Sequence, residues 1–341
     1  MKFKKILLST PLISLISLSA FSCANYQNSQ ELEKYIDHKF DIATNISNNE
    51  KIQSDEIKEK LLDLVFKNDE VKKIEFLNSQ KQDSIIEEKF KNALKIINPF
   101  LKQKENIIKE ISKLNDDLKK YLFLQAKFQN EIMETNKLIQ EKNNELKLIQ
   151  GEFEKYAQEI SLLISQNWYW FFNNLEKFNF SSYKYISSDL LKKVVDKEGN
   201  ILADFQNIVT NSYINKVNSL EPAKDFSLTT NYLSSLVYGE ESAELGDSAA
   251  YYLLVDKIVF RIIINKINSE NSSLEIEPLI WYFENLKAPT ISLKFISSIY
   301  HYAFIHSYSS GYKQFIDDMV VKQRYGEPSA ILPIIKEKNE I

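Results

Sequence analysis

The chain has 341 residues, with 43 Lys or Arg against 47 Asp or Glu, and a single cysteine, Cys23. Cleavage ahead of Cys23 would remove Lys2, Lys4 and Lys5 and no acidic residue, bringing the net charge to −7. So acidic a chain, with Arg261 and Arg324 its only arginines, lacks the basic stripe of a nucleic-acid binder and the guanidinium forks that suit phosphate recognition. No nucleic-acid partner is expected.

Residues 1–22 have the order of an export signal. Lys2, Lys4 and Lys5 precede an apolar stretch, Ile6 to Leu18, broken only by small hydroxyl residues and Pro11. That stretch is short for a membrane span, and it ends in Ala20-Phe21-Ser22 rather than a basic stop. Cys23 then stands where a lipoprotein carries its acylated first residue, and it is the expected lipid anchor. One acyl chain binds a bilayer only marginally, whereas two or three hold firmly, at about 0.8 kcal/mol per buried methylene. The expected location is the outer face of the cell membrane. Ala20 occupies the position where such sites usually carry Leu, so ordinary secretory cleavage after Ser22 is the alternative.

Residues 23–50 are polar and read as a tether. Helical periodicity begins at Lys51. Ile57, Leu61, Leu64 and Val65 share one face, as do Ile86, Phe90, Leu94 and Ile97, before Pro99 interrupts or opens an element. From Ile107 to Leu163 apolar residues recur in heptads, with only Gln125, Thr135 and Lys142 polar in the seam. Because the phase never breaks, the spacing predicts one continuous helix across Asn143-Asn144 and Gly151, on the order of 85 Å long. This coiled-coil region, residues 51–166, is expected to pair with the chain's own 51–97 helices. A second copy of the chain is the alternative, and the oligomeric state stays open.

An aromatic run follows. On a helix, Trp168, Phe171, Phe172 and Leu175 fall on one face and should be buried. Tyr169 and Trp170 point elsewhere, which makes Trp170 the candidate partner contact. The lipoprotein-like signal, the lysine-rich helical region and Trp168-Tyr169-Trp170-Phe171-Phe172 together resemble the mycoplasma surface lipoproteins called aromatic cluster, or aromatic motif, proteins. That resemblance implies a cell-surface location and brings no catalytic residues with it. Helical surface lipoproteins of spirochaetes share the more general features.

Residues 167–325 read as a helical globular domain. Asp196 to Asn200 forms a turn without the alternating oxygen ligands of a calcium loop. Gly246-Asp247-Ser248 would cap a central helix over Ala249–Ile267. Pro278 opens a helix holding Trp281, Tyr282 and Phe283, Pro289-Thr290 opens another reaching about Ser309, and a last one ends near Tyr325. Residues 326–341 form a loose tail. Six glycines are few for an open α/β fold, and the expectation is all-α: a coiled-coil stalk followed by a helical head.

Chemistry is sparse. His301 and His306 lie five apart, about 140° around an α-helix, and so cannot share a metal on one face. Asp317 and Asp318 are the nearest carboxylates in sequence, and packing among Tyr300, Tyr302, Phe304 and Tyr308 is the expected role of the pair. There is no phosphate loop, serine elbow or paired-cysteine spacing. No catalytic residue, metal or cofactor is expected. The reading is a non-enzymatic, membrane-anchored surface lipoprotein serving adhesion, host-molecule binding or envelope interaction, with a host or envelope protein as partner. Alternatives are a solute-binding lipoprotein of a transporter, marked by substantial strand in two α/β lobes, and a surface hydrolase.

Overall fold

The computed structural model describes residues 46–337 apart from 125–126, 199, 207, 210–212, 215–216, 218–224, 270–271, 285–291 and 322–324. The expected signal segment, the expected lipid anchor Cys23 and most of the expected tether lie outside the described residues.

Five helices come first: α1 (Ile46–Phe66), α2 (Glu70–Ser79), α3 (Asp83–Leu124), α4 (Gln129–Gln166) and the short α5 (Trp168–Asn173). Asp69 starts α2 by accepting the Lys72 backbone N–H at 3.0 Å, an N-cap that satisfies one of the first turn's free donors. Pro99 lies inside α3 and neither ends nor opens it.

The single long helix is corrected to a hairpin. Helix α4 does run through Asn143, Asn144 and Gly151, but the chain leaves helix earlier, between Leu124 and Gln129. The two helices pack antiparallel, with Lys142 paired to Glu110 at 2.8 Å and Tyr121 stacked on Phe128 at 5.5 Å near the turn. Tyr121 and Phe128 are consecutive seam positions seven apart. The turn between them returns both rings to the seam, so the heptad count crosses the loop without a slip.

A 3-10 turn, Leu175–Lys177, leads into the second half of the fold. It comprises β1 (Phe178–Tyr185), α6 (Ser187–Val194), β2 (Leu233–Tyr238), a 3-10 turn at Glu240–Glu244, β3 (Ala249–Val255), β4 (Ile258–Asn265), β5 (Ser273–Ile276) and β6 (Ile280–Tyr282). Then come α7 (Leu293–Ile299), a π-helical turn at Tyr300–Ile305, α8 (Ser309–Gln314), a second π-helical stretch at Phe315–Val321, and β7 (Ser329–Ile335).

The all-α expectation is therefore overturned. The seven strands form one antiparallel sheet in the order β1-β7-β6-β4-β3-β2, with β5 also pairing β4. The expected central helix over Ala249–Ile267 is instead the β3–β4 hairpin, in which Val255 faces Ile258 across a two-residue turn. Asp256 takes φ of 51° there, the left-handed conformation that such turns need and that Asp tolerates better than most residues. Strands covered on both faces read as continuous apolar runs, which periodicity alone does not separate from a buried helix. Trp281 and Tyr282, expected on a helix, lie in β6.

Residues alternate between two covered faces. On β4, Phe260 meets Phe171 and Phe172, while its neighbour Arg261 pairs with Glu241 and Glu277 on the other side. One face thus packs on the aromatic run beneath the helical hairpin and the other on the C-terminal helical segment.

The loose tail is corrected too, since β7 is buried between β1 and β6. Phe180 exchanges both backbone bonds with Phe226, at 2.9 Å each, so its partner Pro333 directs its backbone away from β1. Strand β6 pairs β7 only as far as Ile331, and proline's missing donor falls where no strand needs it.

Candidate functional site

The aromatic run forms the joint between helices and sheet. Trp168 is buried and stacks on Phe76 at 5.4 Å, as the shared face with Phe171, Phe172 and Leu175 implies. Trp170 is equally buried, which corrects the expectation that it stands clear as a partner contact. Its ring stacks on Phe90 at 5.4 Å and its indole N–H donates to Asp83 Oδ1 at 2.7 Å. A six-residue helix this short presents side chains to α2, α3 and the sheet at once, so the "far" face of the run is covered by α3.

A cleft of about 640 Å³ opens beside Trp168, lined also by Phe66, Phe76 and Leu274. Two of its serines are already engaged: Ser161 donates to the Ile276 carbonyl and Ser165 accepts the Ile276 N–H at 2.7 Å. The cleft runs along the seam between α4 and the β5 edge, with Gln158, Gln166, Asn265 and Glu275 also on its walls.

Two clusters of buried charge flank the sheet. Lys104 on α3 reaches Ser181 Oγ at 2.9 Å, the Ser182 carbonyl and Asp225 at 3.4 Å. Burial pulls its ammonium below the ordinary lysine range, partly offset by Asp225. On the opposite sheet face, Arg261 Nε meets Glu241 Oε1 at 2.7 Å and its Nη1 meets Glu277. Tyr252 donates to Glu241 at 2.7 Å and the Arg261 guanidinium lies 4.6 Å from the Tyr300 ring centre. Both clusters satisfy their own polar groups, and this is what buried charge needs in order to persist.

The Glu240–Glu244 turn carries this network to the surface. Glu240 donates its backbone N–H to Ser297 Oγ at 2.8 Å, and Glu241 points into the core. One 3-10 turn later, Glu244 faces His301 and His306, with Oε1 3.3 Å from His301 Nε2 and Oε2 2.8 Å from His306 Nε2. The helical-wheel argument against the histidine pair fails because the segment is not α-helical. The His306 N–H bonds the His301 carbonyl at 3.0 Å, an i to i+5 closure that brings residues five apart onto one face. Their ring centres are 4.5 Å apart. Burial, countered by Glu244, lowers the His301 pKa. Asp317 takes no part and pairs with Lys313 at 2.6 Å. Among the described residues, Glu244, His301 and His306 are the group able to hold a metal ion. Glu244 carries no periodic link to the histidines in sequence, and nothing in Tyr300–Ile305 marks the π turn in advance.

The sequence profile of the aromatic cluster surface proteins matches residues 34–105 and 83–326, covering the helices, the aromatic run and most of the sheet. The chain belongs to the aromatic cluster surface protein family. In this family member the aromatics of the Trp168–Phe172 run are packing groups, and the protein is a surface protein. No curated protein and no solved structure matches the chain. None of the helices among the described residues is long and apolar enough to cross a membrane.

Proposed function

We propose that this aromatic cluster protein is a non-enzymatic lipoprotein, held on the outer face of the cell membrane by acyl chains on Cys23, that presents its folded part to a host or envelope protein. The observation that carries this reading is the export-type signal ending at the chain's one cysteine, in a member of a surface-protein family. With the anchor supplied by acyl chains, the fold itself needs no membrane-binding face. The partner contact passes from buried Trp170 to the end of the α3–α4 hairpin. Leu122, Phe123 and Leu124 are all exposed there, Phe123 at 87%, and apolar groups clustered on a surface mark contact sites. Two glycine-rich α/β lobes would mark a solute-binding lipoprotein; the strands here form a single antiparallel sheet, which favours the present reading.

Cys23→Ser should abolish metabolic labelling with palmitate and shift the protein out of the detergent phase. Unchanged detergent partitioning would place the anchor elsewhere. For the partner, pull-downs from host serum and membrane extracts should lose their capture with Phe123→Ser and retain it with Trp170→Phe. Equal capture by both variants would remove the hairpin end from consideration.

A further inference from the structure

We propose that Glu244, His301 and His306 form a binding site for a divalent transition metal of the zinc class, with one coordination position left open to solvent. This goes beyond the surface role above and rests on different residues. Two imidazole nitrogens and one carboxylate oxygen are the donor set of many open zinc sites, with metal–ligand bonds of about 2.0–2.2 Å. Tetrahedral bonds of that length set neighbouring ligand atoms roughly 3.3 Å apart. Both histidine Nε2 atoms already converge on the Glu244 carboxylate at 2.8–3.3 Å, so a metal enters with small side-chain movements rather than a backbone rearrangement.

The ligands are held from both sides. The Glu240–Glu244 turn is fixed by Ser297 and by the Glu241–Arg261 pair. On the other side, the π turn closes through the His306–His301 backbone bond and a Tyr308 N–H to Tyr302 carbonyl bond of 2.9 Å, with Ser307 at φ 56° between them. Tyr308 lies over His306, ring centres 4.9 Å apart and planes 7° from parallel. Such outer contacts pre-orient ligands before the metal arrives. Exposure rises outward across the triad, with side-chain values of 10% for His301, 26% for His306 and 46% for Glu244, which gives an entry path and an open side for water or a ligand atom. The metal would tie the turn before β3 to the π turn after α7. Imidazole favours zinc, copper or nickel over calcium or magnesium, which take all-oxygen sets.

The test is calorimetric titration of ZnCl2 into the full chain carrying Cys23→Ser, which removes the one competing thiol, after dialysis against a chelator. One zinc per chain is expected, together with a higher melting temperature. His306→Ala and Glu244→Gln should each weaken binding by more than the roughly 10–100-fold that follows loss of an outer hydrogen-bond partner. Both residues are partly exposed, so the variants should fold, and their metal-free melting curves check this independently. Bound Co²⁺ should give the visible spectrum of a low-coordinate ion in the parent and lose it in the variants. No binding by the parent, or binding undiminished in either folded variant, overturns the site.

Discussion

The indole N–H of Trp170 donates to Asp83 Oδ1 at 2.7 Å, fastening the aromatic run to the first turn of α3. Phe90 stacks on the same ring, and Lys177, paired to Asp83 at 2.7 Å, stands 5.1 Å from its centre. The ring is therefore enclosed by the two elements it joins. Trp168→Ala and Trp170→Ala should each cost about 3–5 kcal/mol, because each empties a buried aromatic site. Trp170→Phe keeps the stack and loses only the hydrogen bond, for about 1 kcal/mol. Urea unfolding of the three variants checks the ranking, and a Trp170→Ala protein as stable as its parent would show the ring to be dispensable to the joint.

Glu87 lies beside this joint, accepting from Lys91 at 2.6 Å and Lys177 at 3.2 Å. Chiefly the Lys91 bond, with Lys177 assisting against burial, holds its carboxyl below the ordinary glutamate value of 4.5. A depressed folded-state pKa contributes stability that is present above 4.5 and lost as pH falls through the lower folded value. Glu87→Gln should thus cost roughly 0.5–1 kcal/mol at pH 7 and close to nothing near pH 2. Denaturant midpoints of both proteins across that range give the comparison, and a difference that stays constant with pH would exclude the linkage.

Arg261 pairs with fully buried Glu241 and half-buried Glu277. Without it, fully buried Glu241 keeps only hydroxyl partners, Tyr252 at 2.7 Å and Ser297 at 3.4 Å. Arg261→Met should destabilise by about 3–5 kcal/mol, the usual cost of breaking one side of a buried pair. Thermal unfolding measures it; a loss below 1 kcal/mol would mean that solvent reaches the carboxylates.

Two glycines should respond with opposite signs. Gly151 is a helix-interior glycine in α4 with nothing within 4 Å of an added Cβ, so Gly151→Ala should stabilise by about 0.5–1 kcal/mol. At Gly311 a Cβ would come within 2.5 Å of the Ala303 backbone nitrogen, and Gly311→Ala should push α8 off the π turn and destabilise. Melting temperatures moving in the same direction would contradict this packing.

Hydrophobic periodicity records the burial of one face of an element and little else. Seam residues such as Ile107, Ile111, Leu146 and Ile149 are buried where the heptads place them, because burial of a helix face leaves its period in the sequence. The break between Leu124 and Gln129 leaves none, since its length preserves the phase. In β3 and β4 the two faces meet different layers, Phe260 an aromatic one and Arg261 an ionic one, yet both are buried, and the alternation that marks a half-exposed strand vanishes. The histidine pair was hidden by geometry rather than chemistry: one widened helical turn converts a spacing that separates two rings into one that unites them.

The free edge of β5 supplies the last prediction. An edge strand exposes unpaired backbone groups that invite pairing with another chain, and proteins commonly cover such edges. Here the cover is α4. Ser165 Oγ accepts the Ile276 N–H at 2.7 Å, Ser161 Oγ donates to the Ile276 carbonyl, and Ser165 in turn donates to the Ser161 carbonyl at 2.7 Å. The same device recurs at β2, where Ser54 Oγ on α1 accepts the Leu233 N–H at 3.1 Å and Gln53 donates to the Ser234 carbonyl at 2.7 Å. Losing such a partner leaves a covered backbone group unsatisfied, at about 1–3 kcal/mol. Ser165→Ala should therefore destabilise by that amount and speed hydrogen exchange at the Ile276 amide more than at Leu253, which lies within the β3–β4 pairing. Ser165→Thr, which keeps the oxygen, should restore the protection. Equal acceleration at both amides would instead mean that exchange proceeds by global unfolding and that the serine does not hold the edge.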